Sequence, residues 1–363
     1  MTYSAAGAQG ECLKRSVTIV DIAKHAGVSF KTVSRVLNGA PTVAAELRDR
    51  VEQAIRDLDY KPNRAASLLR GGKSHALGLI IGSHTEILHA SEPDHHMPSY
   101  AADVILGLLQ ACHAAEHHLV IENISSVDAR MSGEMLRRFL DLVKLDGVIL
   151  VPPLCDIAWV LDLLDNAAIP FARINPGLDL DRGLCFVIDN NKAAHDVGEA
   201  ILAMGHRRIG FIDGPESHTA QRERKIGFLD IIGSVAGASV EVRQGNFLFA
   251  SGFEMGHELL ALPKRPTAIF AANDEMAAGV LAAAIERGID VPGQLSLVGF
   301  GGLAVSTHTW PRIATVRQST IEIARLAGNS LIERDTRDGV AWDRVVTMPY
   351  ELVTRQSMAP AVR

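Results

Sequence analysis

The side chains best suited to recognising another molecule are concentrated near the amino terminus, between Thr18 and Asn38. Lysine and arginine can donate to guanine edges and to phosphates, and an aromatic ring can contact the methyl group of thymine. Hydroxyl and amide groups can donate to phosphate oxygens. This mixture predicts contact with nucleic acid, and the candidates are Thr18, Ser29, Phe30, Lys31, Thr32, Ser34, Arg35 and Asn38.

Two short helices joined by a tight turn would place these side chains on one surface. Thr18 can open the first helix with a capping box, and Gly27 can adopt the positive φ that ends it. Ser29 can cap the second helix, whose Val33 and Val36 recur on the opposite face. An ordinary helical hairpin is the alternative interpretation. The exposed polar face and the position near the terminus favour a DNA-binding helix-turn-helix.

A second group of polar side chains follows apolar strands later in the chain. From Ala76 onward, short apolar segments alternate with helical segments, which is the pattern of parallel sheets covered on both faces. Two successive series of these segments predict two subdomains. We expect strands near 77–81, 118–122, 147–151, 171–174, 185–188, 208–212, 241–244, 268–271 and 297–299, and helices near 100–117, 131–145, 191–204, 221–232, 252–260 and 274–287.

Ligands of open α/β sheets bind beyond the carboxyl ends of the strands, which here predicts a cleft between two subdomains. Guanidinium, amide and carboxylate groups can satisfy ring hydroxyls, and an aromatic ring can cover an apolar face. The residues alone leave two alternatives open. Arg224 could form a surface salt bridge with Glu223 or Asp213, and Phe247 could belong to the core. The candidates at the strand ends are Tyr100, Asp189, Arg224, Phe247, Asn273, Asp274 and Gln318.

The charge of the chain is unevenly distributed. The net charge is −6, yet the segment from Lys14 to Lys73 has twelve Lys and Arg against six Asp and Glu, a net of +6. The remainder therefore carries −12, so a basic amino-terminal part that suits phosphate precedes an acidic body. The apolar runs are strand-sized, residues 1–15 contain no secretory signal, and the four cysteines form no CxxC pair. These features indicate a reducing cytoplasm and exclude a membrane span.

Turn residues divide the chain into a tail at 1–15, a helical headpiece at 16–62, a linker at 63–74, a body at 75–357 and a tail at 358–363. The headpiece includes a third helix from about Ala44 to Leu58, and its N-cap lacks a hydroxyl unless Thr42 supplies one. Composition leaves open whether the linker is plain or folds as a helix on DNA. Gly72-Lys73-Ser74 ends like a phosphate-binding loop, but it precedes a strand and is rejected as one.

Several motifs together resemble the LacI/GalR family of bacterial transcription regulators, and the resemblance extends to about Ser357. These motifs are AGVS, KTVSRVLN, YKPN, GHRRIGFI, RPTAIFAANDEMAAG and TVRQ. The resemblance implies an all-α helix-turn-helix headpiece plus an α/β periplasmic-binding-protein-like body of two doubly wound parallel-sheet subdomains. The chain would cross between these subdomains three times, with the later crossings near Thr315–Gln318 and Thr347–Leu352.

The resemblance also implies roles for individual residues. In the linker it implies a hinge helix that inserts Leu69 into the minor groove, with Asn63, Arg64 and Arg70 on the same DNA surface. In the cleft, Arg224 matches an effector-clamping arginine and Phe247 a ring that stacks on the ligand. The remaining matches are a polar pair and a cleft glutamine, namely Asn273, Asp274 and Gln318.

One motif departs from the family pattern. The family commonly ends its ninth strand with Gly-Phe-Asp-Asp, but this chain has Gly299-Phe300-Gly301-Gly302. Loss of the carboxylate makes the cleft more favourable to an anionic or less hydroxylated effector, so a sugar acid is expected beside a neutral sugar. The histidines of the loop after the first strand could bind such an anion; they are His84, His89, His95 and His96.

No catalytic residue, metal ligand set or cofactor is predicted. His113 and His117 would stand at i, i+4 on a helix, but their spacing matches no zinc signature, and nucleophile and dinucleotide motifs are absent. The sequence therefore predicts a cytoplasmic, nucleoid-associated, homodimeric repressor of carbohydrate catabolic genes. Its partners would be double-stranded operator DNA and a sugar or sugar acid effector. The alternative is a sugar-binding receptor or a sugar-modifying enzyme, which the basic headpiece and the missing nucleophile disfavour.

Overall fold

The computed structural model describes residues 17–37, 42–60, 74–83, 99–125, 129–334 and 344–361. The chain forms two compact units, Met1–Ser74 and His75–Arg363. The described helices are α1 (Ile19–Ala26), α2 (Phe30–Leu37), α3 (Ala45–Asp57), α4 (Ser99–Ala114), α5 (Ala129–Leu142), α6 (Ala158–Asn166), α7 (Asn190–Ala203), α8 (Thr219–Gly233), α9 (Phe249–Leu260), α10 (Asp274–Glu286), α11 (Val305–His308) and α12 (Thr320–Glu333).

The first unit is built on three helices around a small apolar core. Ile22 of α1, Val33 of α2 and Val51 of α3 are fully buried and belong to one cluster. The two capping predictions for α1 are confirmed. Thr18 forms a capping box with Asp21, and Gly27 ends the helix with φ 62°, in the left-handed region that favours glycine.

Two six-stranded sheets form the second unit. The sheet of lobe I has the order β11-β5-β4-β3-β1-β2, and the sheet of lobe II has the order β12-β10-β9-β8-β6-β7. All pairs are parallel except β10 with β12. The strands are β1 (Ala76–Ser83), β2 (His118–Ser125), β3 (Gly147–Leu150), β4 (Phe171–Ile174), β5 (Leu184–Val187), β6 (Arg208–Asp213), β7 (Ser239–Gln244), β8 (Ala268–Ala271), β9 (Ser296–Gly301), β10 (Ala314–Arg317), β11 (Val345–Thr347) and β12 (Glu351–Val353).

The predicted fold class is confirmed, because continuous apolar strands lie in parallel sheets. Every residue of β3, β4 and β8 is buried, as expected for strands with helices on both faces. The structure adds α6, α11, α12 and the last three strands to the predicted elements. Helix α4 ends at Ala114, so His117 lies outside the helix on which it was expected.

The chain passes between the lobes three times. It leaves lobe I after β5, returns after β10, and crosses again between β11 and β12, as predicted for the later two crossings. On its return to lobe I, α12 packs closely against α4. A Cβ at Gly107 of α4 would lie 2.2 Å from the carbonyl oxygen of Ile321, so only glycine permits this approach.

The predicted tail at 358–363 begins too early. Met358 is buried, and the backbone N–H of Ala359 donates to Ser296 Oγ over 3.0 Å. The N–H of Ala361 donates to the carbonyl of Met204 over 2.8 Å. The chain therefore remains attached to lobe II through Ala361. Across the described residues, no helix has the length and apolar character needed to cross a membrane.

The start of α3 has no side-chain cap. Ala44 occupies the N-cap position with φ −57° and ψ 141°, and no side-chain hydrogen bond caps the helix there, so the alternative of a cap from Thr42 is not realised. A serine at position 44 could supply the missing acceptor.

We predict that Ala44→Ser stabilises the first unit by about 1 kcal/mol. Amide hydrogen exchange in α3 should slow by about fivefold in the full chain, because 1 kcal/mol corresponds to that factor. The matched control is Thr42→Ala, which should leave the exchange unchanged. Faster exchange in the control would show that Thr42 does cap the helix.

Candidate functional site

Helix α2 presents two chemically different faces. Val33 and Val36 are buried against the other helices, whereas Phe30, Lys31 and Arg35 are exposed. Phe30 retains 45% of its accessible surface, which is unusual for an aromatic side chain within a folded unit. A cationic and aromatic face at the beginning of a short helix has the chemistry needed to reach base edges in a major groove.

Some of the predicted hydroxyl groups are occupied by helix capping. Both the backbone N–H and the hydroxyl of Thr18 donate to Asp21 Oδ2, over 2.8 and 2.6 Å. Thr18 thus has no proton left for a phosphate, which corrects its predicted role. Ser29 Oγ accepts the N–H of Thr32 over 3.1 Å and lies 2.9 Å from its hydroxyl. Ser34 is half-buried on the same helix.

One important basic side chain of this unit was not predicted. Arg50 of α3 donates from Nη2 to the carbonyls of Ala26 and Gly27, over 2.6 and 3.2 Å. These carbonyls form the negative end of α1, so Arg50 stabilises the turn before α2. The sequence signal was a lone arginine on the polar side of α3, which periodicity cannot distinguish from a solvated residue. Five DNA-binding candidates lie outside the described residues: Asn38, Asn63, Arg64, Leu69 and Arg70.

In the second unit, the carboxyl ends of the strands of both lobes meet at one cleft. Ser99 of α4 donates to Glu275 of α10 over 2.5 Å, and Thr219 of α8 donates a short hydrogen bond to Asp156 of lobe I. Both contacts connect the lobes. The cleft is thus bounded by residues that follow β1, β3, β6 and β8.

Arg224 is the central cation of this cleft. It is 7% exposed, and its Nε donates to Asn190 Oδ1 over 2.8 Å while Nη1 donates to the carbonyl of Ala272 over 3.0 Å. The guanidinium carbon lies 3.8 Å above the ring of Phe300, a cation–π contact. Burial lowers the pKa of Arg224 to about 10, and the charge is retained at neutral pH.

The surface salt bridge considered for Arg224 does not form. Asp213 pairs instead with Lys225, over 2.7 Å. Asn190 and Phe300 are the two partners that sequence reasoning missed. Asn190 comes directly after the predicted cleft residue Asp189, but an asparagine at the start of a helix is usually interpreted as a helix cap. Phe300 lies in an apolar strand, where a phenylalanine is expected to be a core residue.

Tyr100 and Gln318 lie in the same cleft with a third missed residue, Asn175. Asn175 donates from Nδ2 to Gln318 Oε1 over 3.2 Å, and both side chains are buried. The hydroxyl of Tyr100 is buried near Asn175 and Arg224 and has no hydrogen-bond partner among the described residues. Burial raises its pKa well above the usual value, which keeps the hydroxyl protonated as a donor.

Phe247 is half-buried, and its ring packs against the hydrophobic core of the second unit, as the alternative interpretation expected. It adopts φ 70°, an uncommon conformation for a non-glycine residue, and its ring makes an edge contact with His218 at 5.0 Å. Asn273 fixes this loop, because its Nδ2 donates to the carbonyl of Phe247 over 2.8 Å. Its Oδ1 caps α10 through the N–H of Met276.

Asp274 and Asp189 have structural tasks. Asp274 is fully buried, and its carboxylate accepts the N–H of Leu303 over 2.7 Å and the hydroxyl of Thr315 over 2.6 Å. Desolvation raises its pKa to about 6. Asp274 therefore holds the turn after β9 and has no exposed oxygen for a ligand, which corrects its predicted contact. Asp189 is exposed and caps α7 through the N–H of Lys192.

The sequence predicts no metal site. Within the described ranges, one group of three possible metal ligands occurs, His195, Asp196 and Glu199 on α7. Asp196 is already hydrogen-bonded to Lys192 and Tyr350, over 2.9 and 2.7 Å. The histidines of the loop after β1 lie outside the described residues.

Two surface grooves of about 390 and 430 Å³ lie apart from the cleft. The first is beside Trp310 and Ile285 in lobe II, and the second is beside Trp159 and Arg137 in lobe I. Neither contains a predicted effector residue, and the polar chemistry is concentrated in the cleft.

Comparison with known proteins assigns both units. Residues 18–63 match the lacI family of bacterial regulatory proteins, and residues 199–358 match the periplasmic binding protein-like domain. The chain is 31% identical to the probable HTH-type transcriptional repressor ExuR of Bacillus subtilis (strain 168), over 87% of this chain and 91% of that protein. It is 30% identical to the lactose operon repressor of Escherichia coli (strain K12), over 95% and 92% of the two chains.

Solved structures agree with this assignment. The CelR transcriptional regulator in complex with cellobiose is 27% identical, with a TM-score of 0.67 over 94% of this chain and 99% of that chain. The Lac repressor dimer bound to operator and the anti-inducer ONPF shares the fold, with 24% identity and a TM-score of 0.75 over 95% and 100% of the two chains. With its helix-turn-helix unit and two-lobed body, the protein is a DNA-binding transcription regulator and belongs to the lacI family of bacterial regulatory proteins.

Proposed function

We propose that this protein is a homodimeric repressor of carbohydrate catabolic genes that releases or binds its operator in response to a small carbohydrate effector. The observation that carries the proposal is the exposed face of α2, where Phe30, Lys31 and Arg35 lie opposite a buried apolar face. The named relatives are repressors, and the CelR structure holds cellobiose. Two copies would read two half-sites of a pseudo-palindromic operator.

On the DNA side, we assign base contacts to Phe30, Lys31 and Arg35. Phosphate contacts are assigned to the hydroxyls of Ser29, Thr32 and Ser34, while Thr18 acts through the helix cap. From the sequence alone, Asn38 completes the phosphate set, and the linker residues Asn63, Arg64, Leu69 and Arg70 form a hinge at the minor groove. The headpiece, linker and body would then correspond to 16–62, 63–74 and 75–361.

In the body, the effector would lie between the lobes. Arg224, Tyr100 and Gln318 would donate to or accept from its oxygens, and Phe247 would cover one face of its ring. Asn273, Asp189 and Asp274 would hold these groups in position. Because Ser99–Glu275 and Asp156–Thr219 already join the lobes, an effector that bridges them would shift the balance between joined and separated lobes.

A sugar-modifying enzyme on the same body is the second function considered, and we infer that the protein is not one. The side chains that we assign to the effector supply a guanidinium, amides and a phenol, and none of these is an activated nucleophile. The hydroxyls of Ser99 and Thr219 at the cleft are hydrogen-bonded to the carboxylates of Glu275 and Asp156 of the opposite lobe. Action in the bacterial cytoplasm, at the nucleoid, follows from the proposed DNA-binding role.

We predict that Lys31→Ala weakens binding to the preferred operator by about 1–3 kcal/mol and has much less effect on random DNA. The reason is that Lys31 projects from the start of α2, where side chains reach base edges. Gel-shift titration on an operator selected in vitro, at fixed salt, would measure both affinities.

Lys24→Ala is the control for this experiment, since Lys24 is an exposed cation on α1. It should leave the ratio of specific to random binding unchanged. Equal losses on both DNAs for Lys31→Ala would make Lys31 a phosphate contact.

We also predict that Arg224→Ala retains operator binding and loses the response to effector. Carbohydrates that raise the Tm of the wild-type protein in a thermal-shift screen would be added to operator complexes in gel shifts. Arg222→Ala, on the exposed side of the same helix, should respond as the wild type does. If effector changes operator binding of Arg224→Ala as much as that of the wild type, Arg224 does not contact the effector.

A further inference from the structure

The described part of the body contains two buried arginines with very different hydrogen-bond environments. Arg173 of β4 is fully buried, and all five of its N–H donors are used. One acceptor is a carboxylate, so its charge is neutralised within the protein. The acceptors are Cys155 O, Asp179 O, Arg182 O, Leu178 O and Asp156 Oδ1.

Arg224 lacks this neutralisation. Its two hydrogen bonds go to neutral acceptors, the amide oxygen of Asn190 and the carbonyl of Ala272. Its other three N–H groups donate to nothing within the described chain, and no described carboxylate forms an ion pair with it. A buried cation without a counter-charge is costly, and proteins normally pair such groups.

The unsatisfied polar atoms around Arg224 are mostly donors. Gln221, one helical turn earlier on α8, is 1% exposed, and its Nε2 has no partner among the described residues. The hydroxyl of Tyr100, which lies near Arg224, is also buried without a partner among the described residues, as is the hydroxyl of Thr320 elsewhere in the body. Hydroxyls can donate or accept, but Nε2 and the guanidinium can only donate. The cleft therefore needs an acceptor-rich ligand.

The carboxylates nearby are engaged elsewhere. Asp274 is bonded to Leu303 and Thr315, Asp156 pairs with Arg173, and Glu275 accepts from Ser99. Glu223 lies beside Arg224 in the chain, forms no ion pair with it within the described body, and has a carboxyl pKa raised by burial.

The turn after β9 supplies no anion either. Gly301 and Gly302 occupy it with φ 130° and 74°, and a Cβ at Gly302 would lie 2.9 Å from Cα of Arg317. A carboxylate-bearing side chain there would be strained by its backbone and would meet backbone atoms. The positive charge of Arg224 is thus available to a ligand.

We propose that the effector is a monosaccharide carboxylate, whose carboxylate oxygens accept hydrogen bonds from Arg224 and Gln221. This proposal rests on the proposed effector site and names the chemical class that it selects. The sugar ring would lie toward Phe247 and Gln318, with its hydroxyls near Tyr100. The effector thereby supplies the missing counter-charge.

An effector with one negative charge suits the cleft around Arg224 better than an effector with two. Only one unpaired guanidinium faces the ligand within the described cleft, and the carboxylates Glu223 and Asp189 lie close enough to influence each other's charge. A carboxylate would neutralise Arg224, whereas a phosphate dianion would leave excess negative charge near these groups.

The test measures binding to the full-length protein by isothermal titration calorimetry. The probes are D-galacturonate, D-glucuronate and D-gluconate, their neutral parents D-galactose and D-glucose, and the dianion D-glucose 6-phosphate. At least one carboxylate should bind, and at least about tenfold more tightly than its neutral parent, because hydrogen bonds to charged groups are the stronger kind.

Two variants test whether Arg224 causes the carboxylate to bind more tightly than its neutral parent. Arg224→Met removes the charge and keeps a long side chain, so the carboxylate and its neutral parent should bind it with similar affinity. Arg222→Met removes an exposed cation two residues away and should preserve the wild-type ratio. Arg224→Met should also lower the Tm of the free protein less than Arg173→Met does, because Arg224 has no ion pair to lose.

Each other outcome overturns the proposal. If the neutral parents bind as tightly as the acids, Arg224 donates to sugar hydroxyls and not to a carboxylate. The proposed effector site would then remain valid. Binding by D-glucose 6-phosphate alone would assign the charge to phosphate esters, and binding by none of the probes would exclude the monosaccharide carboxylate class. Failure of the proposed function itself would appear separately, as an absence of sequence-specific operator binding in the gel shifts.

Discussion

Parallel strands impose one constraint on which the rest of this body depends. Each parallel strand must be followed by a return connection, so the parallel strands of a sheet, here all except β12, end at the same edge. Here the carboxyl edges of two such sheets meet, and residues far apart in the chain become neighbours. Arg224 reaches Phe300 and Asn190, and Asn175 reaches Gln318. The polar chemistry of the body follows from this arrangement.

Much of the fold could be predicted because it depends on local sequence. Apolar runs marked most of the first nine strands, and helical spacing marked most helices. Thr18 and Gly27 were identifiable as caps because a cap depends on the residue type at one position. The three short or edge elements β10, β11 and β12 carried too little apolar sequence to be read as strands.

The geometry of the site was less predictable, because partners are set by tertiary contacts. Strand ends nominated Arg224, Phe247 and Gln318, and the structure places all three at the cleft. Nothing in the sequence showed that Asp274 would use both oxygens on Leu303 and Thr315, or that Asn175 would reach Gln318. Thr18 illustrates the same limit, since one hydroxyl cannot serve both its helix and a phosphate. A sequence motif does not show whether two acceptors, here Asp21 and a phosphate, compete for the proton of one hydroxyl.

The close packing of α12 on α4 has a consequence for biosynthesis. Lobe I is built from two separated segments, and its α12 and β11 are translated after nearly all of lobe II. Until residues 320–347 leave the ribosome, the apolar face of α4 around Gly107 and Leu108 lacks its covering helix. The amino-terminal unit and most of lobe II can thus fold while lobe I is still incomplete. A chain that stops before residue 345 would lack an edge strand in each sheet, and lobe I would still expose the face of α4 that α12 covers.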